Sequence, residues 1–202
     1  MGVHHRRRWL SRRLLASRIG VLLLIVPCAA SLPARKAGLA AHAPAPSEFE
    51  AKATYLYNLG KFVEWPEPAL AQGDSFAICV LRRDPFGPIL DGTLVGQTLK
   101  GKPAVARRIA RVQDAAGCRI LFISASQRAQ LAHILAAVSG MPVLTLSDIE
   151  GFAARGGMVQ FVLDDRRVRF ELNVAPAASA GLTLSAQLLR VAKSVRGAPS
   201  GS

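Results

Sequence analysis

Three short, mainly apolar runs free of charged residues most narrow what this chain can fold into: Phe76 to Leu81 (FAICVL), Ile120 to Ser124 (ILFIS) and Val143 to Leu146. Each is rich in β-branched or aromatic residues, is bounded by polar ones and is too short to form a helix of its own. A strand without a polar face has to be covered on both sides, which is the pattern of a parallel sheet between helices. The segments between the runs supply that cover. Asp84-Pro85-Phe86-Gly87 reads as a turn into a short helix, and Ser126 to Val138 carries the helical stripe Leu131, Ile134, Leu135 and Val138. Ala104 to Ile109, interrupted by Arg107 and Arg108, reads as a strand at the sheet edge.

The flanks extend this plan. Ser47 followed by Glu50 makes a capping box, and Ala51, Tyr55, Leu59, Phe62 and Val63 recur at near-helical spacing until Trp65-Pro66 stops them, predicting a helix from about Glu48 to Val63. Met158 to Leu163 and Val168 to Leu172 alternate and are joined by Asp164-Asp165-Arg166-Arg167, a β-hairpin pattern. Gly156-Gly157 supplies a bend before it. A short helix is expected from Asn173-Val174-Ala175-Pro176 to Gly181, and Ser185 caps a last one, Ala186 to Val195. The expected fold is α/β, a single domain with a mixed, mostly parallel sheet flanked by helices and a C-terminal β-hairpin. It spans residues 48–195, with 196–202 as a disordered tail.

The N-terminus has a separate logic. Arg6, Arg7, Arg8, Arg12, Arg13 and Arg18, with no acid among them, precede the apolar run Ile19 to Ala30. That run falls short of the ~20 residues of a spanning helix and is closed by Pro27, so residues 1–43 read as a cleavable export signal and 44–47 as a short tether. Ala41-His42-Ala43 is the working cleavage site, with Cys28-Ala29-Ala30 as an earlier alternative. Eight of the 26 Lys and Arg and none of the 13 acids precede Pro44, which leaves 18 bases against 13 acids, a net charge of +5. The basicity therefore belongs largely to the signal, and nucleic acid is not an expected partner. Two cysteines remain, Cys79 and Cys118, and export to an oxidising compartment invites a disulfide, the alternative being two separately buried thiols.

Chemistry-bearing patterns are sparse. His133 is the one histidine after the signal, set among aliphatic residues, and it reads as structural rather than as a triad member. There is no HExxH, CxxC, phosphate loop or dinucleotide fingerprint, so no catalytic residue, metal or cofactor is expected. Asp148 and Glu150 read as capping groups rather than an acid/base pair. Phe170-Glu171-Leu172-Asn173 alternates, placing Glu171 and Asn173 on the outward face if Phe170 and Leu172 face the core.

Several segments in order carry a resemblance: Tyr55-Leu56-Tyr57-Asn58, Lys61-Phe62-Val63-Glu64-Trp65-Pro66, the run Phe76 to Leu81, Asp84-Pro85-Phe86-Gly87, Cys118 to Ile123, Leu144 to Phe152, Gly156-Gly157-Met158 and Val168 to Asn173. Together they resemble the YfiR family of small periplasmic proteins, from about Ser47 to Val195. The resemblance implies a non-catalytic periplasmic regulator, often dimeric, that binds the periplasmic sensor region of an inner-membrane diguanylate cyclase and inhibits it. That would limit cyclic di-GMP and biofilm formation. It also implies a second partner, an outer-membrane peptidoglycan-binding lipoprotein that sequesters the inhibitor. Cys79 and Cys118 fall at the family's redox-linked pair, whereas Ala153 and Gln160 stand where the family's namesake has a second pair. Phe152, Val159, Glu171, Asn173, Asn58 and Lys61 are the expected partner-binding residues. A small-ligand binding module is the alternative reading.

Overall fold

The structure is a computed structural model that describes residues 47–197, so the expected signal, most of the tether and the tail beyond Gly197 lie outside the described residues. In chain order the elements are α1 (Glu48–Phe62), β1 (Val63–Glu64), α2 (Glu67–Ala71), β2 (Phe76–Leu81), α3 (Pro88–Leu94), β3 (Thr98–Leu99) and β4 (Lys102–Ile109). A 3₁₀ turn (Val112–Gly117), β5 (Ile120–Ile123), a second 3₁₀ turn (Ala125–Gln130), α4 (Leu131–Ala137) and β6 (Leu144–Ser147) follow. The chain ends with β7 (Val159–Asp164), β8 (Arg167–Asn173), α5 (Val174–Ser179), β9 (Thr183–Leu184), α6 (Ala186–Val191) and β10 (Ser194–Arg196).

Eight strands form one sheet in the order β10-β8-β7-β6-β5-β2-β4-β3. Its pairings are parallel except β7 with β8 and β3 with β4. The three apolar runs are the adjacent central strands β2, β5 and β6, in a register that lines up Ile78, Ile120 and Leu144, then Val80, Phe122 and Leu146. These residues face one core with Val159, Phe170 and Leu172, closed by Ala53, Leu56 and Leu59 of α1 and Leu90 and Leu94 of α3. Ala77, Cys79, Leu81, Leu121 and Ile123 point the other way, into a second core closed by Val112, Leu131, Ile134 and Phe152. The mixed, mostly parallel α/β architecture with a C-terminal hairpin is therefore the observed one.

Local signals explain the ends of several elements. Ser47 Oγ accepts the Glu50 N–H and Glu50 accepts the Ser47 N–H, completing the capping box of α1. The β7–β8 turn places Asp165 and Arg166 at φ +48° and +63°, the two left-handed positions that a two-residue hairpin turn requires. The Ser185 hydroxyl caps α6 by accepting the Leu188 N–H.

Three expectations are corrected. The last helix stops at Val191, because the Lys193 N–H reaches the Phe170 carbonyl at 2.8 Å and Ser194–Arg196 joins the free edge of β8 as a parallel strand. The Ser126–Val138 helix begins as a 3₁₀ turn and is α-helical only from Leu131. The strand at 104–109 starts at Lys102 and is covered on its outer side by the two residues of β3.

Candidate functional site

The disulfide follows directly from parallel pairing. Cys79 is the fourth residue of β2, and Cys118 closes the first 3₁₀ turn just before β5, where the Arg119 N–H donates to the Ala77 carbonyl at 2.9 Å. The two Cα atoms lie 5.9 Å apart and the sulfurs are bonded. Both residues are fully buried in the second core. The bond closes a loop of sequence separation 39, for which the chain-entropy relation gives about 4 kcal/mol of stabilisation.

Side chains fix the backbone beside it. Arg119 is buried without a carboxylate partner among the described residues, and its guanidinium donates to the carbonyls of Cys118 (3.2 Å) and Gln72 (2.9 Å). Burial holds its pKa below the usual arginine value. Trp65 Nε1–H donates to the Arg119 carbonyl at 3.2 Å, so an indole and a guanidinium both tie the Cys118–Arg119 segment to the region around α2.

The second feature is the outward face of the C-terminal strands. Gln160 pairs across with Glu171 and Val162 with Arg169, while β10 adds Arg196 beside Asn173. Strand alternation puts these side chains on the face opposite Phe161, Phe170 and Leu172. Arg169 and Arg196 are exposed, and Val162, Glu171 and Asn173 are half-buried. Gln160 is buried because Ala153 sits over it: Gln160 Oε1 accepts the Ala153 N–H at 3.1 Å, and Asn173 Nδ2 donates to the Ala153 carbonyl at 2.9 Å. Two strand amides thus clamp one loop residue from both sides.

The structure separates the six residues expected to meet a partner. Phe152 and Val159 are fully buried, so their assignment to a surface is corrected: Phe152 fills the second core and Val159 the first. Phe152 also accounts for Gly157, where an added Cβ would lie 2.1 Å from Phe152 Cε1; Gly157 provides space, and the left-handed bend belongs to Gly156 at φ +98°. Glu171 and Asn173 do share the outward face. Asn58 and Lys61 are on α1, which packs against the opposite face of the sheet, and Lys61 Nζ lies 4.1 Å from the centroid of the Tyr57 ring.

Sequence reasoning missed one ion cluster, built around a buried lysine. Lys52, 3% exposed, reaches Glu48 at 2.5 Å and Asp148 at 2.8 Å, tying the start of α1 to the loop after β6. Asp148 is an ion-pair partner rather than a cap, while Ser147 Oγ is the group that accepts the Ile149 N–H. The only available signal was a lysine on the apolar side of a helix, one residue before the core residue Ala53.

Taken together, these features define a small disulfide-stapled α/β domain. The chain belongs to the YfiR/HmsC-like family, whose sequence model matches residues 49–193. No curated protein matches it. Among solved structures it is similar to a conserved domain protein from Vibrio cholerae O1 biovar El Tor strain N16961, with TM-score 0.52 and 11% identity over 74% of this chain. The match spans 60% of that protein, and the likeness is one of fold.

Proposed function

We propose that this chain is an exported, non-catalytic regulator that binds the periplasmic sensor region of an inner-membrane diguanylate cyclase and holds the enzyme inactive, so limiting cyclic di-GMP and biofilm formation. The observation that carries this reading is the family match, which covers nearly the whole described domain. The arginine-rich, acid-free N-terminus supports export, and among the described residues no helix is long and apolar enough to cross a membrane. The disulfide supports an oxidising compartment.

The contact surface in this reading is the outward face of β7, β8 and β10, centred on Glu171 and Asn173. Phe152 and Val159 support it from inside, and Asn58 and Lys61 form a separate surface on α1. An outer-membrane peptidoglycan-binding lipoprotein is the second partner, which removes the inhibitor, and the free protein associates as a homodimer.

The test combines export and coupling. The tagged full chain, expressed in its own host, is recovered from the periplasmic fraction and crosslinked, and the captured partners are identified by mass spectrometry. Recovery of a diguanylate cyclase, together with a rise in cellular cyclic di-GMP when the gene is deleted, is the expected result. A cytoplasmic location, or cyclic di-GMP unchanged by deletion, would overturn the proposal.

A further inference from the structure

A different part of the sheet carries chemistry that the regulatory reading does not use. The chain leaves β2 through α3, over the first core, to reach β4 on one side, and continues through the first 3₁₀ turn, over the second core, to β5 on the other side. β2 is therefore the strand at which the connections change face, and in open α/β sheets ligands settle at the carboxyl ends of the strands flanking such a point. Here those ends hold a pocket of about 130 Å³, lined by Arg82, Arg111, Gln113, Gln127, Gln130 and His133 together with Leu81, Val112 and Ile134.

The lining contains two guanidinium groups, an imidazole and three carboxamides, and no carboxylate. Arg82 makes no ion pair among the described residues. Arg111 meets Asp114 at 3.2 Å, but that pair is i,i+3 with Arg111 74% exposed, a geometry that contributes little. Gln127 is buried, and its amide nitrogen is held by Ser126 Oγ at 3.1 Å. The volume is below the ~300 to 1,000 Å³ of organic-ligand pockets and amounts to a few waters at about 30 Å³ each.

Backbone strain coincides with the same spot. Arg82 adopts φ +60°, a left-handed conformation that a non-glycine residue rarely takes, and its N–H remains bonded to the Ile109 carbonyl at 2.8 Å. Glycine would fill this position at less cost, and retained strain of this kind concentrates at ligand sites. Arg82 lines the pocket from the end of β2 and Arg111 from the segment after β4. The disulfide links the same two walls, since Cys79 lies two residues before Leu81 and Cys118 ends the 3₁₀ turn that begins at Val112.

We propose that this pocket binds a small oxyanion (phosphate, sulfate or a compact carboxylate), clamped between Arg82 and Arg111 with the imidazole and carboxamides as further donors. Two charge-assisted contacts from separate segments fit an anion of that size.

The test is an amide-resolved NMR titration of the oxidised protein purified from the periplasm, with sodium phosphate, sodium sulfate and sodium acetate in separate arms and sodium chloride as control, at fixed pH and ionic strength. Saturable shifts confined to the backbone around Arg82, Arg111–Gln113, Gln127 and His133 are expected for at least one oxyanion, with half-saturation at or below about 1 mM. Arg82→Gly relieves the backbone strain while removing the guanidinium, so it should melt no lower than the parent protein yet bind about ten- to hundredfold more weakly. Arg166→Ala, in the β7–β8 turn and outside the pocket lining, should bind as the parent does. Shifts equal to those of chloride in every arm, or unchanged affinity in Arg82→Gly, would overturn the proposal.

Discussion

Gln160 Oε1 accepts the backbone N–H of Ala153 at 3.1 Å, so a hydrogen bond joins the two positions at which the family's namesake has a second cysteine pair. The loop that a covalent bond would fasten is fastened here by polar contacts, with Asn173 Nδ2 holding the Ala153 carbonyl at 2.9 Å from the neighbouring strand. A fully buried Phe152 completes the attachment from the core side. The chain thus carries one covalent staple, and its second fastening is made of hydrogen bonds that respond to neither oxidant nor reductant.

Replacing Gln160 tests that substitute directly. Gln160→Ala leaves the Ala153 N–H without its acceptor in a buried site, for which the expected cost is about 1 to 3 kcal/mol. The midpoint of urea unfolding, monitored in the oxidised protein, should fall accordingly with little change in the slope. A midpoint equal to that of the parent would show that the clamp contributes nothing.

The disulfide makes a larger prediction. The double variant Cys79→Ala/Cys118→Ala should lose about 4 kcal/mol of stability relative to the oxidised protein. Because both cysteines are fully buried, a reductant has no path to the bond while the domain is closed. Labelling of the two thiols in the presence of reductant should therefore accelerate as urea is added below the unfolding transition. Rapid labelling without urea would show that the bond is reachable in the native state and open to direct redox control.

Physical range decides what the sequence reveals about this fold. The buried strands β2, β5 and β6 are legible because burial on two faces leaves short, mainly apolar runs without a charged residue, a property of each segment by itself. The hairpin is legible because alternation and the Asp164–Arg167 turn are also local. β10 is not, since Ser194-Val195-Arg196 has no strand pattern and becomes a strand because β8 offers a free edge. The same holds for β1 and β9, two residues each, which exist only through their mutual pairing. At the candidate site, the cysteine pair and the outward Glu171 and Asn173 are readable from composition and period. The contact between Lys52 and Asp148 spans 96 residues and leaves no local trace. Phe152 lies in the core rather than at a surface, and an apolar residue in a loop gives no local sign of which way it points; Gly157 leaves the space that its ring occupies.

Arg108 makes the pH behaviour of one carboxylate predictable. It donates to Asp91 through both terminal nitrogens, at 2.7 and 2.6 Å, and to Asp84 through Nε at 2.8 Å. The hydrogen bonds from Arg108 are the main cause of a lowered Asp91 pKa. A carboxyl whose folded pKa lies below its unfolded value adds stability above the unfolded pKa and loses it as the pH falls through the folded one. Asp91 is about half exposed, so solvent screening keeps this contribution small. In an NMR titration Asp91 should protonate below the usual aspartate range, and in Arg108→Gln its pKa should return toward that range. An identical titration in both proteins would show that the pair does not persist in solution.

The proposed contact face and the core behind it make opposite predictions. Glu171 is half-buried on the outward face and has no ion pair among the described residues, so Glu171→Arg should change stability by no more than about 0.5 kcal/mol. A reversed charge at the centre of a contact surface opposes the partner that the parent residue suits, so the same substitution should raise cellular cyclic di-GMP toward the level of the gene deletion. Phe152→Ala should instead cost about 3 to 5 kcal/mol through the cavity it opens, and should act by lowering the amount of folded protein. The two routes are told apart by measuring cyclic di-GMP and periplasmic protein level together. Glu171→Arg should separate them, with normal abundance and lost inhibition, while Phe152→Ala should lower abundance and inhibition in step. If Glu171→Arg inhibits as well as the parent at equal abundance, the contact surface lies elsewhere, and the α1 surface bearing Asn58 and Lys61 becomes the next place to introduce the same change.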